Sequence, residues 1–140
     1  MFGLSTKGDY GLSFLEALVQ RPKRLISLKE ISRQKKLPLK YIERLAATLK
    51  RANIIVSKEG AGGGYILARP AYQIKLVEVL TILEGDLAPT KCTSDRANCI
   101  REKLCLMKQG WCAIHHKIYS ILDSYSLADL YKKSNLTTNP

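Results

Sequence analysis

The chain has 140 residues, of which 46% are hydrophobic and 25% charged, which indicates a single globular domain and excludes a disordered chain. The formal net charge is +11, which favours a polyanionic partner such as DNA or RNA, although a merely solubilising surface also fits. Residues 1–70 contain 14 Lys and Arg against 5 Asp and Glu (net +9), and residues 71–140 contain 9 against 7 (net +2), so the excess lies in the first half.

Three helices are predicted in the first half of the chain, at residues 7–20, 27–36 and 38–52, where apolar residues recur three and four positions apart. The second helix opens with a capping box, in which the Ser27 oxygen accepts a backbone N–H and the Glu30 side chain returns a bond. The third helix begins with a proline, which suits the first helical position because the missing N–H has no partner there.

A β-hairpin is predicted after these helices. Residues 54–58 and 65–68 read as strands, and the sequence EGAGGG between them indicates a glycine-rich tip. Residues 74–84 are apolar around most of a helix, which indicates a buried fourth helix.

This order of elements predicts a mainly α fold with a small β-hairpin wing, a winged helix-turn-helix. The third helix would enter the major groove of DNA, which admits one helix. The glycines of the tip would let the backbone approach a phosphate chain closely. The alternative is a helical domain with a solvated basic face and a flexible loop. The side chains on the third helix that are able to reach bases or phosphates are Lys40, Tyr41, Glu43 and Arg44.

All four cysteines lie in residues 91–112, with six, five and six residues between successive thiols. No apolar run reaches the roughly 18–20 residues of a membrane span, and the start lacks the layout of a signal peptide. We therefore expect a cytoplasmic protein with reduced thiols that act as metal ligands or reactive groups. The spacing lacks the short C-x-x-C pairs of structural zinc sites and favours an iron–sulfur cluster, but zinc, a thiol switch and inert cysteines remain open.

A long apolar stripe follows the cysteines and predicts a helix that forms a homodimer interface, although part of it can pack on its own chain. The stripe consists of Ile114, Ile118, Ile121, Leu122 and Tyr125.

Four segments are therefore expected. They are a DNA-binding domain (1–84), a cysteine-bearing cluster loop (85–110), a dimerisation helix with a short C-terminal helix (111–134) and a disordered tail (135–140).

Three stretches, LSTKGDYGL, LKEISRQKKLPLKYIERL and GAGGGYILARP, resemble the Rrf-type bacterial transcription regulators over about residues 3–133. The resemblance implies a homodimer that binds a pseudo-palindromic operator in double-stranded DNA. It places Lys40, Tyr41, Glu43 and Arg44 on the recognition helix and Gly62, Gly63, Gly64 and Tyr65 on the wing. Relatives have an arginine where Glu59 stands, so Lys58 is the expected phosphate contact here.

The resemblance also bears on the cysteines. The iron–sulfur branches of the family, the IscR-, NsrR- and RirA-like regulators, have three cysteines in this loop, which Cys92, Cys99 and Cys105 match. The cysteine-regulator branch, the CymR-like proteins, lacks the trio. The implied cofactor is an iron–sulfur cluster, of two or four irons, that senses iron, redox state or nitric oxide.

The fourth ligand of that cluster is open. IscR-like members have a histidine where Lys108 stands, and a protonated lysine has no acceptor with which to ligate. Asp9 matches an aspartate that reaches the partner subunit's cluster in NsrR-like members. Cys112 and His115 are further candidates, although Cys112 would lie about 10 Å from Cys105 along a continuous helix.

No enzymatic constellation is present in the sequence. There is no nucleophile–base pair with supporting residues, and the glycine run lacks the Lys-Ser/Thr of a phosphate-binding loop. We therefore expect a regulator with no small-molecule substrate. The alternative is a zinc-stabilised or cluster-free DNA-binding regulator that uses its thiols as a redox switch.

Overall fold

The structure is a computed structural model that describes residues 3–94 and 99–132. The predicted tail, 135–140, lies outside these residues. The described residues form six α-helices and a two-stranded antiparallel hairpin, with 3₁₀ turns at Ala71–Gln73, Lys91–Thr93 and Glu102–Leu104. The helices and strands are α1 (Thr6–Val19), α2 (Leu28–Lys35), α3 (Leu39–Arg51), β1 (Ile55–Lys58), β2 (Gly64–Leu67), α4 (Leu76–Glu84), α5 (Lys108–Ser124) and α6 (Leu127–Tyr131).

Local capping explains where the first two helices begin. The Ser5 hydroxyl accepts a hydrogen bond from the Gly8 N–H at 3.1 Å, and the Ser27 hydroxyl accepts one from the Glu30 N–H at 3.2 Å. The full capping box predicted at α2 was wrong, because the Glu30 carboxylate instead binds the guanidinium groups of Arg21 and Arg24. Glu30 therefore forms ion pairs in place of the expected hydrogen bond to the Ser27 N–H.

The main hydrophobic core lies between α1, α2, α3 and the base of the hairpin. The apolar face predicted for α3 is confirmed, with Ile42, Leu45, Ala46 and Leu49 all buried. Leu127 of α6 belongs to the same core and is fully buried. Helix α6 therefore contributes to the core formed mainly by the first half of the chain.

The hairpin is joined edge-on to the segment before α2. Ile26 exchanges both backbone hydrogen bonds with Tyr65, at 3.0 and 2.8 Å. Gly64 has φ +152°, and a Cβ built there would lie 2.6 Å from the backbone carbonyl of Ile26. Only glycine fits where the hairpin meets this segment, so the glycine fixes the wing against the helical body.

Helix α4 connects the core to the last long helix. Its residues Leu76, Val77 and Leu80 form a second, smaller apolar cluster with Leu87, and Leu122 of α5 packs against it. Helix α5 begins at Lys108, three residues before the range predicted for it. None of the helices in the described ranges is long and apolar enough to cross a lipid bilayer.

Helix α6 is held by hydrogen bonds at both ends. The Ser126 hydroxyl accepts from the Asp129 N–H at 3.2 Å, and the Asp129 carboxylate accepts from the Ser126 N–H at 2.9 Å. The Tyr131 hydroxyl donates to the carbonyl of Leu12 on α1, and burial raises the pKa of Tyr131, with a further increase from Glu16.

Candidate nucleic-acid interface and cysteine loop

Helix α3 presents the residues predicted to contact DNA. Lys40, Glu43 and Arg44 are exposed on its outer side, opposite the buried apolar face. Tyr41 is half-buried, and its ring packs edge-on against Tyr10 of α1 with the ring centroids 5.2 Å apart. The tyrosine therefore orients α3 against α1, a contact that no local sequence pattern reveals.

The wing places its predicted residues beside α2 and α3. Lys58 ends β1 opposite Gly64, and Glu59 is exposed at the tip. The turn needs left-handed backbone at Gly60 and Gly62, with φ values of 96° and 73°. A cavity of about 330 Å³ at the base of the wing is lined by Ser27, Leu28, Lys50, Ser57, Lys58, Glu59, Gly60, Gly63, Gly64 and Tyr65.

The basic residues divide into two groups. Some are paired with acids: Glu30 holds Arg21 and Arg24, and Glu16 holds Lys35 at 3.0 Å. In contrast, the cations that line the outer side of α3 and the wing have no ion pair within the described ranges. They are Lys40, Arg44, Lys50 and Lys58. Positive charge is thus left unneutralised on the face predicted to meet DNA.

The cysteine loop connects α4 to α5. Cys92 lies in the 3₁₀ turn at Lys91–Thr93, Cys99 follows the undescribed residues 95–98, and Cys105 follows the turn at Glu102–Leu104. Cys112 lies inside α5, so Cys105 and Cys112 do not share one helix as considered from the sequence. All four cysteines are half-buried, and none of them forms a disulfide.

The first part of the loop is held by polar contacts and by packing. The Asp86 carboxylate accepts from the Ala88 N–H at 2.9 Å and from the Ser94 hydroxyl. The turn that carries Cys92 packs against α5, and the Thr90 hydroxyl lies 3.1 Å from the Cys92 sulfur. The loop therefore touches both helices that it joins.

The donors suit an iron–sulfur cluster in kind, because three half-buried thiols lie on one loop. The described ranges nevertheless contain no group of three His, Cys, Asp or Glu side chains arranged to hold a metal ion. The thiol chemistry fits, and binding would require the loop to bring the sulfurs together.

Candidates for a fourth ligand lie in different places. Asp9 is exposed in the first turn of α1. Lys108 is ion-paired with Glu102 on the loop. On α5, His115 follows Cys112 by one turn, and its Nδ1 atom is buried with no hydrogen-bond partner in the described part of the chain.

One contact close to Asp9 was not predicted from the sequence. The Glu84 carboxylate at the end of α4 accepts from both the N–H and the hydroxyl of Ser5, at 3.1 and 2.8 Å. A Cβ at Gly8 would lie 1.8 Å from that carboxylate. The signal was the glycine inside a helix, where glycine is unfavourable unless something approaches closely.

The predicted dimer stripe is split in the monomer. Ile118 and Leu122 are half-buried, and Leu122 packs on the chain's own body, as considered from the sequence. Ile114, Ile121 and Tyr125 remain exposed at 43%, 59% and 48%. An apolar surface is left on α5.

Comparison with known proteins agrees with this architecture. The model of the Rrf2 family, described as an iron-dependent transcriptional regulator, matches residues 4–133. The HTH-type transcriptional regulator ORF2 of Azotobacter vinelandii is 34% identical over 134 residues, which cover 95% of this chain and 81% of that protein.

Two solved structures have similar folds. The structure of CymR (YrzC), the global cysteine regulator of B. subtilis, has a TM-score of 0.76 and 31% identity, covering 96% of this chain and 100% of that one. T. potens IscR has a TM-score of 0.73 and 34% identity, covering 92% of this chain and 85% of that one.

Proposed function

We propose, since the chain belongs to the Rrf2 family of bacterial transcriptional regulators, that its affinity for operator DNA is controlled by an iron–sulfur cluster held by Cys92, Cys99 and Cys105. The protein is a regulator and not an enzyme. The observation that carries the proposal is the trio of half-buried thiols on one loop that touches both α4 and α5. We further propose that it acts as a cytoplasmic homodimer.

The DNA-binding part of the proposal assigns roles to the exposed residues. Lys40, Glu43 and Arg44 would contact bases or phosphates in the major groove, where arginine reads guanine and glutamate accepts from cytosine. Lys58 and the backbone of the tip would follow the adjacent phosphates, whereas Glu59 would repel them. Operators of relatives with arginine at that position should therefore be bound less well.

A two-fold axis would give the operator its symmetry. The exposed α5 face at Ile114, Ile121 and Tyr125 is the surface that a second copy would cover. Two recognition helices would then lie one turn of DNA apart, about 34 Å. This spacing is why a pseudo-palindromic operator is expected.

A bound cluster would supply iron atoms able to react with oxygen or nitric oxide, or to be lost when iron is scarce. The protein would transmit the signal through the cysteine loop, because ordering of this loop would shift α4 and α5 relative to each other. Asp86 holds the first part of the loop near the end of α4, and the turn with Cys92 rests on α5. Drawing the thiols together would pull on both helices, and a coupling of about 1–3 kcal/mol is typical of such linked sites.

Anaerobic purification with iron and sulfide analysis tests this function. We expect visible absorbance with bound iron and sulfide in the wild type, and loss of both in Cys92→Ser, Cys99→Ser and Cys105→Ser. The affinity for operator DNA should change about 5–150-fold between cluster-bound and cluster-free protein. Unchanged affinity would contradict the control by the cluster.

The same measurement separates the candidates for the fourth ligand. Asp9→Ala, Cys112→Ala and His115→Ala are compared for the rate at which absorbance is lost in air. His116→Ala is the matched control, because it removes an exposed neighbouring imidazole from the same helix. The true ligand is the position whose loss accelerates decay.

The alternative is a zinc-bound or cluster-free regulator whose thiols act as a redox switch. The cluster-free form is favoured by the absence of a metal-ready group in the described ranges and by the similarity to the cysteine regulator CymR. A colourless, iron-free anaerobic sample would rule out the cluster. Stoichiometric zinc would then identify a metal-stabilised regulator, and oxidant-dependent DNA affinity would identify a thiol switch.

A further inference from the structure

We propose that Lys7 and Arg44 form a binding site for one phosphate of the DNA backbone, at the junction of α1 and α3. The site adds a contact from α1 to those of the recognition helix and the wing, and it rests on the proposed binding of duplex DNA. Lys7 lies near the start of α1, outside the helix-turn-helix segment and the wing.

The site is a cavity of about 240 Å³, which we call the α1–α3 cavity. Helix α1 contributes only Lys7 to it, and helix α3 contributes the rest. The residues that line it are Lys7, Tyr41, Arg44, Leu45 and Thr48.

The floor of the α1–α3 cavity is held in place by packing. Leu45 is buried in the main core. Tyr41 is fixed by its edge-on contact with Tyr10, and the Thr48 hydroxyl donates to the carbonyl of Arg44 at 3.1 Å. The two cationic side chains therefore face a preformed surface.

The charge of the lining is entirely positive. The two acids nearest in sequence, Asp9 and Glu43, do not line the α1–α3 cavity. Within the described ranges, neither Lys7 nor Arg44 has a carboxylate within ion-pair distance. Two unneutralised cations beside one cavity repel each other, and an anion between them removes that repulsion.

The wing cavity provides a contrast. It also has two lysines, Lys50 and Lys58, but Glu59 lies in its lining. An acid there opposes the binding of a phosphate. The α1–α3 cavity is thus the better anion site of the two.

Position favours a DNA phosphate over a free anion. The cavity shares Arg44 and Tyr41 with the exposed helix proposed to enter the major groove. The walls of that groove are the two phosphate backbones, so residues that flank a helix in the groove meet phosphates. Lys7, reaching from the neighbouring helix, is placed at that flank.

The expected signature is in the salt dependence of binding. Each phosphate neutralised releases condensed counterions, with a slope of about −0.9 in log K against log salt concentration. Lys7→Gln should therefore reduce the magnitude of the slope by about 0.9 per subunit, or about 1.8 for a dimer. Its affinity deficit should shrink about 12-fold between 50 and 200 mM salt, which is a fourfold change raised to the power 1.8.

The experiment measures operator binding by fluorescence anisotropy between 50 and 200 mM salt with the full-length protein. Lys23→Gln is the matched control, because it makes the same charge change at an exposed site beyond the far end of α1. Lys7→Arg should keep the wild-type slope, and Arg44→Gln should reduce it. The loss in Lys7→Gln should be equal on the operator and on an unrelated duplex, because phosphates carry no sequence information.

Three results would overturn the site. A wild-type slope in Lys7→Gln would exclude it while leaving the proposed function intact. Lys7-dependent stabilisation by inorganic phosphate, with an unchanged DNA slope, would show that the cavity serves a free anion. Failure of the wild type to bind any duplex would remove the proposed function and this site together.

Discussion

At the scale of single residues, two glycines differ in whether the structure leaves room for a side chain. Gly64 lies where the hairpin meets Ile26, with a positive φ and no room for a side chain. Gly110 is the opposite case, since nothing lies within 4 Å of a Cβ built there in the first turn of α5. Substitution by alanine should therefore have opposite effects on stability at the two positions.

Gly64→Ala should lower the free energy of unfolding by about 1–3 kcal/mol. The added methyl group would clash with the backbone of Ile26, and alanine would be strained at the positive φ of this position. Gly110→Ala should raise the same quantity by up to about 1 kcal/mol, because alanine loses less entropy in a helix. Urea unfolding followed by circular dichroism measures both. Equal effects of the two substitutions would contradict the close approach at Gly64.

At the scale of elements, α6 depends on its capping box. Hydrogen bonds from the backbone and hydroxyl of Ser126 lower the pKa of Asp129 below its usual value. A carboxyl with a lowered folded-state pKa stabilises the fold above its unfolded pKa, about 3.9, and loses that contribution as pH falls through the folded value.

Asp129→Asn should therefore reduce stability at pH 7, and its difference from the wild type should shrink as the pH falls below about 4. Ser126→Ala should cost about 1 kcal/mol at pH 7, as expected for loss of an N-cap. Asp123→Asn, an exposed change at the end of α5, serves as control. A difference between wild type and Asp129→Asn that stays constant from pH 7 to pH 3 would contradict the role of the carboxylate.

Elements with strong local patterns were predictable from the sequence. The spacing of Ile42, Leu45 and Leu49 predicted α3, because the main core buries one face of that helix. The glycine run predicted the hairpin tip, because only glycine tolerates its backbone angles. Local rules were sufficient wherever neighbours in sequence determine the conformation.

Other features depend on contacts that no local sequence pattern specifies. Glu30 was predicted to complete a cap, but Arg21 and Arg24 take its carboxylate. Tyr41 was expected among the DNA-facing side chains, and its packing against Tyr10 could not be seen from spacing. The roles of the cysteines stay a prediction, because sulfur spacing along a loop does not determine how the loop folds.

At the scale of the whole molecule, the exposed face of α5 predicts self-association. Ile121 is 59% exposed within a helix whose other side packs on the body. Such an apolar face on a helix ordinarily marks an interaction surface. We therefore expect a second copy of the chain to cover this face of α5 in solution.

Ile121→Lys should raise the dimer dissociation constant at least about 100-fold, equivalent to about 2.7 kcal/mol, because it would place an unpaired charge in the interface. Analytical ultracentrifugation measures this directly. Ser120→Lys, which introduces the same charge at the adjacent exposed position, should have a smaller effect. A wild-type dissociation constant for Ile121→Lys would place the dimer surface elsewhere.

The closure of the core by α6 has a consequence for biosynthesis. Leu127 is fully buried in the core to which the first three helices contribute, and Tyr131 bonds to Leu12 across 119 positions of the chain. During translation the amino-terminal helices emerge first and can pair early. The nascent chain, however, lacks the core side chain of α6 until residue 127 has been made. A ribosome stalled before residue 127 would therefore hold a chain whose DNA-binding half lacks Leu127 in its core.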